Sequence, residues 1–154
     1  MIIENAYLSD IQRIWKENNE GYITYESNQI AITDEKMLQI VWRENNTTMA
    51  YAIVYLGKDF IEKEKFQVNI EDIPDNSVYI WEIVTDKNYK GRGIANKLMK
   101  YLIEKYKNYN IYSCVASDNI PSLKLHEKNG FKILTQFKEK NKKSEQYIMI
   151  KNKM

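Results

Sequence analysis

The chain has 154 residues, of which 44% are hydrophobic, and its 23 basic and 21 acidic side chains leave a net charge of +2. This length suits one ordinary domain with a real core, and the near balance of charge argues against a dedicated nucleic-acid binder. The single cysteine, Cys114, excludes an internal disulfide and favours a reducing compartment. With no apolar run of membrane-spanning length and no signal-peptide pattern, we expect one cytoplasmic domain over residues 1–154, without a membrane or nucleic-acid partner.

The first half of the chain is predicted to hold two strands of a hairpin, preceded by a strand and one or two helices. In chain order these are a strand over residues 1–5, a helix over 9–19, an ambiguous segment over 21–34 that suits a second short helix, and hairpin strands over 37–43 and 48–56. Ser9 is a suitable N-cap for the first helix. Asn45 and Asn46 suit the turn of the hairpin.

The second half is predicted to alternate strands and helices around a central strand. In chain order these are a polar insertion over residues 58–76, the central strand over 78–86, a helix over 93–106, a strand over 111–116, a helix over 122–128, and closing strands over 131–137 and 146–150. In the first of these helices Ile94, Leu98, Leu102 and Tyr106 are spaced to share one buried face. This order predicts a mixed α/β fold.

The most informative stretch runs from Ile83 to Ala95, where a strand ends, a glycine turn follows and a helix begins. A helix N-terminus carries unsatisfied N–H groups and a partial positive charge, so a turn without side chains in front of it is suited to hold a phosphate. Lys90 and Arg92 add two cations. The turn lacks the Gly-Lys-Ser/Thr of a P-loop, and Asn96 stands where a dinucleotide-binding turn has its third small residue.

Two motifs in the chain resemble the cofactor motifs of one enzyme family. Lys90, Gly93 and Ala95 fit the pattern Gln/Arg-x-x-Gly-x-Gly/Ala, with lysine in the first place instead of the usual glutamine or arginine. Residues 119–131 resemble a second pattern, Asn-x-x-Ser/Ala-x-x-Leu-Tyr/His-x-x-x-Gly-Phe. In this order and at this separation the motifs resemble those of the acetyl-CoA-dependent GNAT acetyltransferase superfamily. The resemblance is tight over residues 78–134.

The resemblance implies a fold and a cofactor site. The implied fold is an α/β (α+β) GNAT fold, with a mixed, mostly antiparallel sheet of about six or seven strands, splayed at the middle and flanked by about four helices. The acetyl donor would be acetyl-CoA. Its pantetheine arm would contact the backbone of Ile83, Val84 and Thr85 and lie near Asn119 and Ser122. Its pyrophosphate would be held by Lys90, Gly91, Arg92, Gly93, Ile94 and Ala95.

Two side chains are candidates for the chemistry that the resemblance implies. Glu82, on the central strand, would accept a proton from the attacking amine. The alternative is a strand glutamate that faces solvent or pairs with a lysine. His126 stands where many members of the superfamily have a tyrosine that protonates the departing thiolate. The alternative is a packed histidine that only makes a hydrogen bond. It is the only histidine in the chain, so we expect no metal site.

Three functions stay open from the sequence. The leading one is transfer of an acetyl group to a primary amine of a small molecule, such as an amino-acid-like compound, a polyamine or an antibiotic. The second is acetylation of a protein N-terminus or lysine, and the third is an acetyl-CoA-binding sensor without turnover. A homodimer is compatible with the resemblance. The expected acceptor region offers aromatic and acidic side chains, namely Trp15, Glu17, Glu20, Tyr22, Tyr25, Glu26, Trp42 and Trp81.

Overall fold

A computed structural model describes residues 2–4, 8–19, 36–63, 66, 70–138 and 144–154. The helix suggested for residues 21–34 lies outside these ranges. The chain divides into two compact units, the first from residues 1–55 and 81–99 and the second from residues 56–80 and 100–154. Each is described by itself below.

The first unit is an antiparallel β-structure with helices. Its elements are β1 (Ile2–Glu4), α1 (Leu8–Asn19), β2 (Met37–Glu44), β3 (Thr47–Leu56), the second half of β4 (Ser77–Thr85), a 3₁₀ turn (Lys87–Tyr89) and the first half of α3 (Ile94–Lys105). Its strands follow the order β1-β2-β3-β4. The predicted hairpin is confirmed: β2 and β3 pair antiparallel, and the turn places Asn45 and Asn46 at φ 51° and 61°. Asparagine tolerates this left-handed backbone, which matches the twist of a tight hairpin.

The apolar pattern of the first unit explains its core. All residues of β3 from Thr48 to Tyr55 are buried, as expected of a strand covered on both faces. Ile11 and Ile14 of α1 are buried three residues apart, on one helical face. The prediction that Ser9 caps this helix was wrong, because the helix already begins at Leu8 and Ser9 lies inside its first turn.

The second unit is a mixed sheet with a helix that follows β5. Its elements are α2 (Phe60–Lys63), a 3₁₀ turn (Ile70–Asp72), the first half of β4, the second half of α3, β5 (Asn110–Ala116), α4 (Ile120–Lys128), β6 (Lys132–Phe137) and β7 (Gln146–Lys151). Its strand order is β4-β5-β7-β6. β4 and β5 are parallel, whereas β7 is antiparallel to both of its neighbours. The described chain thus holds seven strands, three longer helices and the one-turn α2, in agreement with the predicted class.

The insertion over residues 58–76 is less polar in the structure than its sequence indicated. Phe60 is completely buried and stacks on Tyr79 with ring centroids 4.7 Å apart. Phe66 and Tyr112 contact the Phe60 ring from other sides, at 6.4 Å and 5.4 Å. The segment was predicted as a polar excursion with a single apolar cluster, and its aromatic side chains anchor it to the sheet.

No helix in the described ranges has the length and apolar character needed to cross a membrane.

Candidate active site

In the first unit, β4 leads through a short loop into helix α3, as predicted. Gly91 and Gly93 adopt φ of +82° and +72°, a conformation that L side chains rarely take. The carbonyl of Gly93 accepts the N–H of Lys97 at 3.1 Å, so the helix starts directly after it, and Ile94 packs into the core. The loop therefore ends at a helix N-terminus, where N–H groups are free to bind an anion.

The surroundings of the loop fit a phosphate group. A Cβ atom added to Gly91 or Gly93 would meet no atom within 4 Å, so the loop backbone faces open space. Lys90 and Arg92 are both exposed beside it, and the Arg92 guanidinium lies 5.2 Å from the centroid of the Tyr89 ring. Two cations and a helix N-terminus together favour an anion at this place.

Glu82 lies half-buried on β4, three residues before the strand ends at Thr85. Burial raises its pKa from 4.5 to about 7, and the hydroxyl of Tyr51 acts in the opposite direction. Tyr51 is completely buried, and burial followed by the charge of Glu82 raises its pKa far above the ordinary value. Among the described residues the Tyr51 hydroxyl has no partner that meets hydrogen-bond geometry. Glu82 thus titrates close to neutral pH, in the range that suits a general base.

The raised pKa of Glu82 makes a prediction for stability. Below pH 4.5 the carboxyl is protonated in both the folded and the unfolded chain, whereas the folded chain alone keeps the proton up to about pH 7. The stabilisation present at low pH is therefore lost as the pH rises through 7. We expect Glu82→Gln to raise the free energy of unfolding at pH 8 by about 1–3 kcal/mol, and by much less at pH 5. Urea unfolding at the two pH values measures this, and equal effects at both would contradict it.

The other predicted contacts of the first unit have the following positions. Ile83, Val84 and Thr85 are the last three residues of β4 and are half-buried. The part of β4 that is in register with β5, Ser77–Ile80, ends before them. The Trp81 ring lies 6.4 Å from that of Tyr55. Of the expected acceptor region, Glu20, Tyr22, Tyr25 and Glu26 lie outside the described residues.

In the second unit, Asn119 and Ser122 meet at the start of α4. The Asn119 side chain is the N-cap and accepts the N–H of Ser122 at 3.3 Å. The helix ends before Gly130, whose φ of +90° is the left-handed cap that the sequence indicated. Asn119 therefore has a structural task, in addition to any contact with a cofactor.

His126, on the same helix, is buried and has a partner for each ring nitrogen. Its Nδ1 is 2.7 Å from the carbonyl oxygen of Ser122, and its Nε2 is 2.8 Å from Oγ of Ser113. A carbonyl only accepts, so Nδ1 carries the proton and Nε2 of the neutral ring accepts the Ser113 hydroxyl. Burial lowers the pKa of His126, which favours this neutral form. The geometry supports the structural alternative for His126, and a role as general acid stays a prediction.

The Ser113–His126 hydrogen bond makes a separate prediction. We expect Ser113→Ala to lower the free energy of unfolding by about 1–3 kcal/mol, because it leaves a buried ring nitrogen without a donor. Ser144→Ala, which removes a hydroxyl that donates to Asp118 on the exposed surface, is the matched control. Chemical denaturation measures both. If Ser113→Ala lowers the free energy of unfolding no more than Ser144→Ala does, the structural role of the Ser113–His126 hydrogen bond is contradicted.

Three residues that contact or adjoin the candidate site residues were not predicted from the sequence. Tyr51 and Ser113 lie in ordinary apolar strands, and no local signal marks either. The third, Asp86, is buried and its carboxylate accepts the N–H of Asn88 at 2.9 Å. An aspartate two residues before a turn N–H is a recognisable Asx-turn signal, which was available in the sequence. Within the described ranges, no group of acidic, histidine and cysteine side chains is arranged to hold a metal ion.

Comparison with known proteins agrees with these observations. The model of the acetyltransferase (GNAT) family matches residues 4–131. The spermine/spermidine N(1)-acetyltransferase of Bacillus subtilis is 32% identical over 65 residues, which are 40% of this chain and 43% of that protein. The N-acetyltransferase 9-like protein of Caenorhabditis elegans is 27% identical over 145 residues, covering 81% of this chain and 72% of that protein.

Solved structures show the same fold. The ribosomal-protein-alanine N-acetyltransferase of Brucella melitensis superposes with a TM-score of 0.73 at 17% identity, over 99% of each chain. The chain therefore belongs to the GNAT acetyltransferase family, a family of acyltransferases, and the predicted fold is confirmed. The match to the Bacillus protein spans less than half of that protein's length.

Proposed function

We propose that the protein transfers the acetyl group of acetyl-CoA to a primary amine of a small molecule. The observation that carries the proposal is that a candidate base and a glycine loop follow one another along the chain in the first unit. A half-buried glutamate with a pKa of about 7 stands on β4, which leads through the 3₁₀ turn Lys87–Tyr89 into a left-handed glycine loop and a helix N-terminus. Direct transfer of an acetyl group from a phosphate-bearing thioester to an amine needs both a base and an anion site, and these lie close together along the chain.

Each residue has a proposed role in this reaction. When bound, acetyl-CoA supplies the activated acetyl group as a thioester. The backbone N–H groups from Gly91 to Ala95, with the charges of Lys90 and Arg92, hold the pyrophosphate. Ile83, Val84 and Thr85 offer their backbone to the pantetheine arm. Glu82 takes a proton from the amine, directly or through a water molecule, so that the nitrogen lone pair becomes available for attack.

In the second unit, Asn119 and Ser122 are proposed to lie near the pantetheine arm through the fixed first turn of α4. His126 holds that turn from within, because Nδ1 donates to the Ser122 carbonyl. Its loss would therefore displace Ser122 even if the imidazole never exchanges a proton with the substrate. The residues of this unit thus support binding whichever of the two roles His126 has.

A polyamine is the first acceptor to test. The support is the local similarity to an enzyme that is named for spermine and spermidine. The half-buried ring of Trp81, on the same strand as Glu82, suits an aliphatic ammonium group through a cation–π contact. Acetylation of a protein N-terminus is the alternative, since structures with this fold include an enzyme named for ribosomal-protein alanine.

The test is release of free CoA thiol from acetyl-CoA, measured with spermine, with spermidine and with a peptide that begins with alanine. The proposal expects release that depends on enzyme and polyamine together, with the acetylated polyamine found by mass spectrometry. Release with the peptide alone would favour the protein acetyltransferase. Tight binding of acetyl-CoA in calorimetry, with no turnover of any amine, would favour the sensor.

A further inference from the structure

Asp86, at the entrance to the glycine loop, forms hydrogen bonds with three parts of the first unit: β3, α1 and the 3₁₀ turn. Its backbone N–H donates to the carbonyl of Met49 on β3 at 2.8 Å, and its own carbonyl accepts the N–H of Tyr89 at 2.9 Å. One carboxylate oxygen accepts the N–H of Asn88 at 2.9 Å, and the other accepts Nη1 of Arg13 at 3.0 Å. Arg13 lies on α1, 73 positions earlier in the chain.

The two partners differ in their exposure to water. The Asp86 side chain is 2% exposed, whereas that of Arg13 is 42% exposed and also reaches Glu17 at 3.2 Å. The hydrogen bond to Asp86 is the main cause that raises the pKa of Arg13, so the arginine stays charged. A buried carboxylate without such a partner would be strongly unfavourable. Arg13 therefore supplies the positive charge that stabilises the buried carboxylate of Asp86.

The location of this pair matters because a negative charge stands next to a loop suited to bind an anion. Left unpaired, the Asp86 carboxylate would repel a phosphate at the loop, and screening by solvent is weak for a buried charge. Arg13 offsets the charge of the Asp86 carboxylate, which accepts the N–H of Asn88, while the backbone carbonyl of Asp86 accepts the N–H of Tyr89 at the start of the loop. The contact thus acts on both the shape and the electrostatics of the loop.

We propose that Arg13 is a positioning residue for coenzyme binding, which acts through Asp86 and touches neither the coenzyme nor the reacting atoms. The proposal rests on the proposed function, in that the glycine loop binds the pyrophosphate of CoA. It also links helix α1 to the coenzyme loop, so that a change on this helix is expected to alter coenzyme affinity.

Calorimetric titration with CoA tests the proposal. We expect Arg13→Gln to weaken CoA binding about tenfold, a size typical of coupling through one intermediate contact. Lys16→Gln is the matched control, because it removes the same charge from an exposed position of the same helix. This control is expected to bind CoA like the wild type.

A double variant separates positioning from general stability. Asn at position 86 keeps an oxygen that accepts the Asn88 N–H but carries no charge. We therefore expect Arg13→Gln combined with Asp86→Asn to bind CoA within about threefold of the wild type, a recovery that identifies coupling between the two sites. Thermal melts of all variants are recorded in parallel, because a merely structural role would lower the melting temperature and leave the CoA affinity of the folded protein unchanged.

The outcomes are distinct. Weakened binding in Arg13→Gln with recovery in the double variant supports the proposal. Wild-type affinity in a folded Arg13→Gln, or equal weakening in Lys16→Gln, overturns it. If Arg13→Gln does not fold, the folded double variant decides: CoA binding within about threefold of the wild type supports the proposal, and failure to bind CoA overturns it. Absence of CoA binding by the wild type overturns the proposed function instead.

Discussion

Replacement of Glu82 by glutamine is expected to lower the rate of acetyl transfer at pH 8 by about 100-fold or more, the contribution usual for a general base. Glutamine has nearly the same shape but cannot accept the amine proton. Glu82 is half-buried, and burial raises its pKa to about 7, so the carboxylate is ionised and available at pH 8. The measurement is the steady-state rate of thiol release with the acceptor that the screen identifies.

The same residue sets the expected pH dependence. The base must be ionised to work, so the wild-type rate is expected to fall as the pH drops below about 7. Glu104→Gln, on the exposed surface of α3, is the control and should retain the wild-type rate and profile. CoA affinity should be the same in Glu82→Gln as in the wild type. A variant with full activity, or with a loss explained by weaker CoA binding, would rule out Glu82 as the base.

Replacement of Gly93 by aspartate is expected to weaken CoA binding by at least about 100-fold, because a carboxylate would occupy the positive end of the helix where the pyrophosphate is proposed to lie. The backbone at φ +72° disfavours any side chain except asparagine and aspartate. The added Cβ would meet no atom of the protein within 4 Å, so the cost to stability comes from the left-handed backbone alone. Calorimetric titration with CoA measures the effect, with a thermal melt to verify folding.

Gly93→Asn is the matched control for this change. Asparagine has the same shape and the same tolerance of the left-handed backbone, but no charge. If the anion site is where we propose, Asn should weaken CoA binding clearly less than Asp. Equal losses would mean that bulk alone is responsible, and an aspartate variant that binds CoA normally would remove the loop from the coenzyme site.

Local sequence patterns predicted most of the elements that carry the candidate site. The glycine spacing indicated the loop, and the left-handed φ of Gly91 and Gly93 explains why glycine is favoured at these positions. The end of α4 was likewise predicted from Gly130. These features depend on backbone preferences within a few residues of each glycine, which is why they are visible in one sequence.

The start of α1 and the character of residues 58–76 were predicted less well. Helix ends depend on local competition between several acceptable caps, so a serine at position 9 was a weak guide. The insertion has many charged side chains, and only the stack of Phe60 on Tyr79 shows that its aromatic residues form part of the core. Composition cannot reveal which partners a buried ring will find.

What the sequence determined by itself is the family, the order of the elements and the position of the glycine loop, because each depends on short-range spacing. Only the tertiary structure decided that burial moves the pKa of Glu82 to about 7, and that His126 is held between Ser122 and Ser113. Only the tertiary structure brings Arg13 into contact with Asp86, which lies 73 positions later in the chain. Burial and long-range contact are properties of the packed chain, and no local pattern encodes which distant side chain will supply the missing charge.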